Sequence, residues 1–209
     1  MKVTLPTRFL NIAKLASVDQ MRMNLNNVYI NAAGPVELYA TTGKLALHVK
    51  WNNFQEMESL DYKHLLNSRD LLSVLAVTKK LSAITLEAST LGGAFVHEAP
   101  AVPIRTMPID MFPLQFFTTI QDWPEESNHF RYNATDTVRI LTVAELLKAN
   151  KKDVVQVTHS ELYNPNENAQ TRVLKLSWRC DEFEAVAYST AMIQSIREFN
   201  EQLAMANVE

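Results

Sequence analysis

The sequence predicts an α+β protein assembled from β-α-β-β-β units, and three observations carry that expectation. Strand-like alternation and helical periodicity follow one another in the same order twice within the first 113 residues. A stretch from Met107 to Trp123, interrupted by Pro108 and Pro113 and followed by Pro124, separates those two units from a third run of the same kind. The composition, 47% hydrophobic and 21% charged over 209 residues, suits one large or two small globular domains and not a disordered chain.

The elements follow in order. Lys2 to Leu5 reads as a short strand, and Thr7 offers a side-chain oxygen to cap a helix from Arg8 to about Ser17, an arrangement worth about 1 kcal/mol. On that helix Phe9, Ile12, Ala13 and Ala16 share one face, while Arg8, Asn11 and Lys14 lie opposite, so the outward face is basic. Three strands come next: Asn27 to Asn31, Val36 to Thr41, and Lys44 to Trp51, with turns at Gly34-Pro35 and Gly43. The unit then repeats, with a strand over Leu60 to Leu66 and a helix capped by Asn67 or Ser68 that runs to about Lys80. Its three strands are Ala83 to Ala88, Gly93 to Glu98 and Val102 to Thr106.

Beyond the proline-rich stretch, Phe130 to Tyr132 reads as a strand and Thr135 as the cap of a helix reaching Ala149. Strands follow at Val154 to Leu162, Val173 to Trp178 and Glu184 to Ser189, with a loop at Asn164 to Asn166. From Ala191 to Ala206 apolar residues recur at helical spacing, with Ile193, Ile196, Phe199 and Leu203 on the face to be buried. The expected organisation is a complete domain over residues 1–113, a linker over 114–128, and a second, partial domain over 129–209 that ends in this helix.

Composition also narrows the function. A net charge of −3 excludes a wholesale basic surface, so any nucleic-acid contact must come from local placement of charge. No apolar run approaches the roughly 18 residues that cross a bilayer, and the N-terminus lacks the basic-then-apolar signal pattern, so a cytoplasmic protein with no membrane partner is expected. Cys180 is the single cysteine, sits in an alternating run, and reads as a packing residue in a reducing compartment.

Chemistry of an enzymatic kind is not legible. The chain carries no glycine-rich phosphate loop, nucleophile elbow or HExxH helix, and has four glycines in all. His48, His64, His97, His129 and His159 are scattered over strands and loops, where half-buried or surface positions are expected instead of a metal site. Asp181, Glu182 and Glu184 read as a solvated strand end. No catalytic residue, cofactor or metal is expected.

Three runs resemble the DNA sliding-clamp family, in particular the bacterial DNA polymerase III β subunit. Val36 to His48 (VELYATTGKLALH) is similar to the family's strand-turn-strand signature, with Thr42 where the family has aspartate. Arg69 to Glu87 (RDLLSVLAVTKKLSAITLE) is similar to its second helix and the strand leaving it. Ile104 to Pro113 (IRTMPIDMFP) resembles the segment that closes a clamp domain, and its two prolines would hold an extended exit around a core-plugging Phe112. The resemblance covers residues 1 to 113 well and 129 to 190 faintly. It implies the sliding-clamp fold, with antiparallel sheets outside and helices on one face.

The resemblance also gives the basic helix faces a role. Arg8 and Lys14 on the first helix, Arg69, Lys79 and Lys80 on the second, and Arg139, Lys148, Lys151 and Lys152 around the third would track phosphates without reading bases. Arg22 joins them because the loop after the first helix approaches DNA in the family. For Lys79, Lys80 and Lys148 the alternative is that the helix dipole favours cations near helix C-termini whatever the function. The implied function is a non-enzymatic processivity factor that surrounds double-stranded DNA as a homo-oligomer, a dimer or trimer, and tethers a polymerase with help from a clamp loader. The alternative is a clamp-fold adaptor or inhibitor that binds replication proteins without encircling DNA, using exposed strands or the terminal helix of an incomplete domain.

Overall fold

The computed structural model describes residues 1–16, 20–52, 62–89, 93–126, 134–148, 156–166 and 172–190. Strand β1 (Lys2–Pro6) opens the chain and leads into a 3-10 helix over Thr7–Leu15. A second short 3-10 helix, Gln20–Leu25, precedes the meander β2 (Asn27–Ala32), β3 (Val36–Thr41) and β4 (Leu45–Trp51). Strand β5 (Tyr62–Asn67), helix α1 (Ser68–Thr78), and strands β6 (Ala83–Ala88), β7 (Ala94–Val96) and β8 (Ala99–Ile104) repeat the order. The expected strand-helix-meander therefore occurs twice, with ends shifted by at most three residues.

A two-residue strand β9 (Thr106–Met107), helix α2 (Leu114–Ile120) and strand β10 (Glu125–Glu126) occupy the proline-rich stretch. Helix α3 (Ala134–Leu147) and strands β11 (Gln156–Tyr163), β12 (Arg172–Arg179) and β13 (Phe183–Thr190) follow. Thr135 lies inside α3 and is not its cap. The expected strand at Phe130 to Tyr132 and the expected helix from Ala191 lie outside the described residues.

All described strand pairs are antiparallel. One sheet has the order β1-β6-β7-β8 and the other β10-β11-β12-β13-β4-β3-β2-β5-β9. Strand β13 pairs with β4 in a register that sets Phe183 opposite Trp51 and Ser189 opposite Leu45, so the larger sheet runs without a break from the first units into the third. Alternation explains the layers: Leu45, Leu47 and Val49 of β4 and Val28 and Ile30 of β2 point into one core with Phe9, Ile12, Leu71, Val74, Ile140 and Phe183. That core lies beneath the Thr7–Leu15 helix, α1 and α3, which line one face together. No helix among the described residues is long and apolar enough to cross a membrane.

The opposite face of the larger sheet is covered too. Phe112, Phe117 and Ile120 pack with Tyr29, Ala46, Leu65, Leu162 and Tyr188 in a second cluster. Phe112 is buried as expected, but it plugs this outer cluster, with its ring 5.9 Å from those of Tyr29 and Phe117. The stretch after Pro113 is thus an ordered covering layer: Pro113 stands at the N-cap of α2, where a missing N–H costs nothing.

The first helix departs most from expectation. Thr7, Phe9, Leu10, Asn11, Ile12, Ala13 and Leu15 are all buried, leaving Arg8 partly exposed and Lys14 exposed. Its neighbours explain this, because α1 packs along one flank and α3 along the other. Asn11, expected to point outward, donates from Nδ2 to the Arg8 carbonyl at 2.7 Å. Thr7 makes no capping hydrogen bond; its hydroxyl is buried, and its backbone N–H donates to the Ser82 carbonyl at 3.0 Å.

Candidate nucleic-acid interface

Helix α1 is fixed at its start by local chemistry. Asn67 Oδ1 accepts the N–H groups of Arg69 at 3.1 Å and Asp70 at 3.3 Å, so of the two expected caps, Asn67 and Ser68, it is Asn67 that serves. Asp70 is held in turn by Arg105, whose Nε and Nη2 reach the two carboxylate oxygens at 2.8 Å each, while its backbone N–H donates at 2.9 Å. Burial raises the Asp70 carboxyl pKa, but the hydrogen bonds and charge of Arg105 outweigh it, so the group lies below the ordinary value. This clamp leaves Arg69, one residue earlier, exposed on the first turn of the helix.

The far end of α1 and the Thr7–Leu15 helix enclose an open groove of about 610 Å³. Leu72, Leu75 and Leu81 give it an apolar wall, and Arg8, Lys14 and Lys79 supply its cations, with no acidic side chain among the lining residues. Lys14, Lys79 and Lys80 are all exposed. Four of the expected cations, Arg69, Lys14, Lys79 and Lys80, therefore stand open on the helical side of the molecule.

The others are placed differently. Arg8 spends its Nε on the carbonyl of Leu147, the last residue of α3, at 2.8 Å, and its Nη2 on the carboxylate of Glu182. Arg139 donates to the Lys14 carbonyl from Nε at 3.2 Å and from Nη2 at 2.6 Å, reaching Ala16 as well, and so closes the C-terminal end of the first helix. Lys148 pairs with Glu145 at 2.8 Å and keeps only 10% of its side chain exposed. These three belong to the seam between the Thr7–Leu15 helix and α3, or to α3 itself, and do not form the expected outward basic stripe. Arg22 lies on the Gln20–Leu25 helix, and Lys151 and Lys152 lie outside the described residues.

The acidic cluster is also divided. Glu182, expected in solvent, is about a quarter exposed and neutralises Arg8, while Glu184 pairs with Arg179 at 3.2 Å on the surface. The histidines stand apart: His48 stacks on Tyr39 with ring centroids 4.2 Å apart, His64 meets Tyr62 edge-on, and His97 contacts Glu87 at 2.6 Å. His159 is exposed and His129 lies outside the described residues. Cys180 is partly buried against the main core, with its thiol 3.5 Å from the Phe183 carbonyl.

Sequence reasoning missed the apolar wall of the groove and the partners of Arg8 and Arg139. The spacing of Leu72 and Leu75 signals a helix face, but which neighbour flanks that face depends on the packing of three helices separated in sequence.

No protein-family profile matches the chain, and no curated protein matches it. Solved structures do. The DNA polymerase III subunit β of Borrelia burgdorferi aligns at a TM-score of 0.53 and 11% identity over 93% of this chain and 65% of its own. The β subunit of Thermotoga maritima aligns at 0.53 and 13% identity, and the DNA polymerase sliding clamp of Bacillus subtilis at 0.55 and 12%, each with the same coverage of 93% and 65%. At such identities the likeness speaks for architecture, and the architecture is the one derived above: antiparallel sheets with a row of helices on one side. The chain has the sliding-clamp fold and spans about 65% of the length of the bacterial clamp subunits it matches.

Proposed function

We propose that this chain is a non-enzymatic, clamp-like processivity factor whose helical face rides on duplex DNA. The observation that carries the reading is the exposure of Lys14, Lys79, Lys80 and Arg69 on the helical side of a sliding-clamp fold, in a protein whose overall charge is −3. Cations placed together on one surface attract phosphates even where the net charge is negative. Lysines on helices make sequence-independent contacts, which suit a protein that must slide. In this reading two or three copies assemble around DNA, a loader places them, and a polymerase is tethered to the assembly.

Fluorescence anisotropy on duplex DNA across a range of salt concentrations tests the reading. The wild type binds random-sequence duplexes equally, with a steep salt dependence. Lys14→Glu, Arg69→Glu and Lys79→Glu together lower the affinity by roughly tenfold or more and flatten the salt slope by about 0.9 for each phosphate no longer neutralised. Unchanged affinity and slope in the triple variant reject the helical face as the DNA-binding surface.

A second reading, an adaptor that uses the clamp fold to bind replication proteins without encircling DNA, is favoured by the composition of α3. Val138, Leu141 and Leu146 are exposed on it while Arg139 is turned to the Lys14 carbonyl, an arrangement that suits protein contact better than phosphate contact. Recovery of a host clamp or loader by protein that shows no DNA affinity selects this second reading.

A further inference from the structure

We infer that the groove between the Thr7–Leu15 helix and α1 holds a short acidic segment with aliphatic side chains from a partner protein, a contact that stands whether or not the chain binds DNA. Two helices supply its walls. A 3-10 helix repeats every three residues, so Arg8, Asn11 and Lys14 stand in one row of about 12 Å. Leu72, Leu75 and Lys79 recur at helical spacing on α1 and form the opposing row, about 10 Å long. Leu81, 43% exposed, extends the apolar side past the end of that helix.

The lining selects the class of occupant. Duplex phosphates account for exposed lysines but not for leucines beside them, since backbone contacts need charge and hydrogen bonds and no apolar surface. Leu72 and Leu75 are only partly buried against the main core, and with Leu81 they place aliphatic surface in one concavity of about 610 Å³. Single-stranded nucleic acid is held by cations together with aromatic platforms on which bases stack, and no aromatic side chain is among the described residues that line this groove. A small amphiphile calls for a pocket that encloses most of its surface, whereas this groove is open to solvent. An acidic polypeptide segment satisfies both walls: its aliphatic side chains lie on the leucines and its carboxylates meet the lysines.

The charge of the groove has one sign. Arg8 is committed to the Leu147 carbonyl and Glu182, so Lys14 and Lys79, both exposed, carry the attraction. No acidic side chain among the described lining residues answers them. Because the same two lysines belong to the face proposed to meet DNA, peptide and duplex compete wherever both bind.

Peptide selection on the full chain tests this. The wild type is panned at low salt against displayed random peptides of about twelve residues, long enough to span either wall as helix or strand. Enriched peptides are labelled with fluorescein and titrated by anisotropy. The inference predicts peptides that combine Asp or Glu with Leu, Ile or Val. Their affinity falls by about tenfold or more both in Leu75→Gln with Leu81→Ser and in Lys14→Gln with Lys79→Gln. The leucine changes leave affinity for duplex DNA as it was, and Leu81→Ser alone, at an exposed position, weakens peptide binding with little risk to folding. Absence of enriched peptides, enriched peptides without acidic residues, or binding indifferent to the leucine changes overturns the inference. Peptide binding of the predicted kind in a protein with no affinity for duplex DNA upholds it and removes the DNA reading instead.

Discussion

Arg8 and Glu182, 174 positions apart in the sequence, form an ion pair that joins the Thr7–Leu15 helix to the turn before β13. Both side chains are about a quarter exposed, at 22% and 24%, so the pair is neither a solvent-screened surface contact nor a fully desolvated one. The second contact of Arg8, to the Leu147 carbonyl, also satisfies the last turn of α3. One guanidinium thus ties three elements from opposite ends of the chain.

Replacing Arg8 by Met is expected to lower the unfolding free energy by about 2 kcal/mol, since two hydrogen bonds to partly buried acceptors disappear. Glu182→Gln costs less, and the double variant shows a coupling of about 1 kcal/mol in urea unfolding. Strict additivity of the two single changes contradicts the role assigned to the pair.

Phe117 tests the covering layer formed by α2. It is buried among Tyr29, Tyr39 and Phe112 on the outer face of the larger sheet, with its ring 5.2 Å from that of Tyr39 and edge-on to it. Phe117→Ala is expected to cost about 3 kcal/mol, the range for truncating a buried aromatic. A cost below about 1 kcal/mol returns this stretch to the status of a simple linker.

The Asp70–Arg105 clamp makes a signed prediction about pH. The folded carboxyl sits below its ordinary value, so its contribution to stability is present above about pH 4 and is lost as pH falls through the folded pKa. Arg105→Gln removes the partner. The stability difference between wild type and variant should therefore be constant near neutrality and narrow below about pH 4. Denaturant midpoints from pH 7 to pH 2.5 read this directly, and a gap that widens in acid contradicts the assignment.

Much of the architecture was legible because it rests on local rules. The alternation of Leu45, Leu47 and Val49 fixed both the strand and the face it buries, and Asn67 marked the start of α1 through its own side-chain oxygen. Helix α2 was not legible, because Pro108, Pro113 and Pro124 were read as breakers while Pro113 stands at a helix start. Asn11 was placed outward by a helical wheel that knows one buried face, and the Thr7–Leu15 helix is flanked on two sides.

The basic residues show the same limit. Lys14, Lys79 and Lys80 were expected on outward helix faces from the charge pattern, and the structure exposes them. Arg8 and Arg139 follow the same pattern, but their partners lie more than a hundred positions away, at Leu147 and Glu182 for Arg8 and at Lys14 for Arg139. Nothing local to either arginine announces those partners.

Topological holding of DNA, as proposed for this chain, is tested most directly by retention on circular against linear duplex. Subunits are assembled on a nicked circular plasmid, the complex is washed at high salt, and the protein remaining is measured before and after a single restriction cut. Topological linkage predicts protein that survives the wash on the circle and slides off once the DNA is linearised, because screening removes phosphate contacts but not linkage. Equal loss from circular and linear DNA at high salt contradicts it.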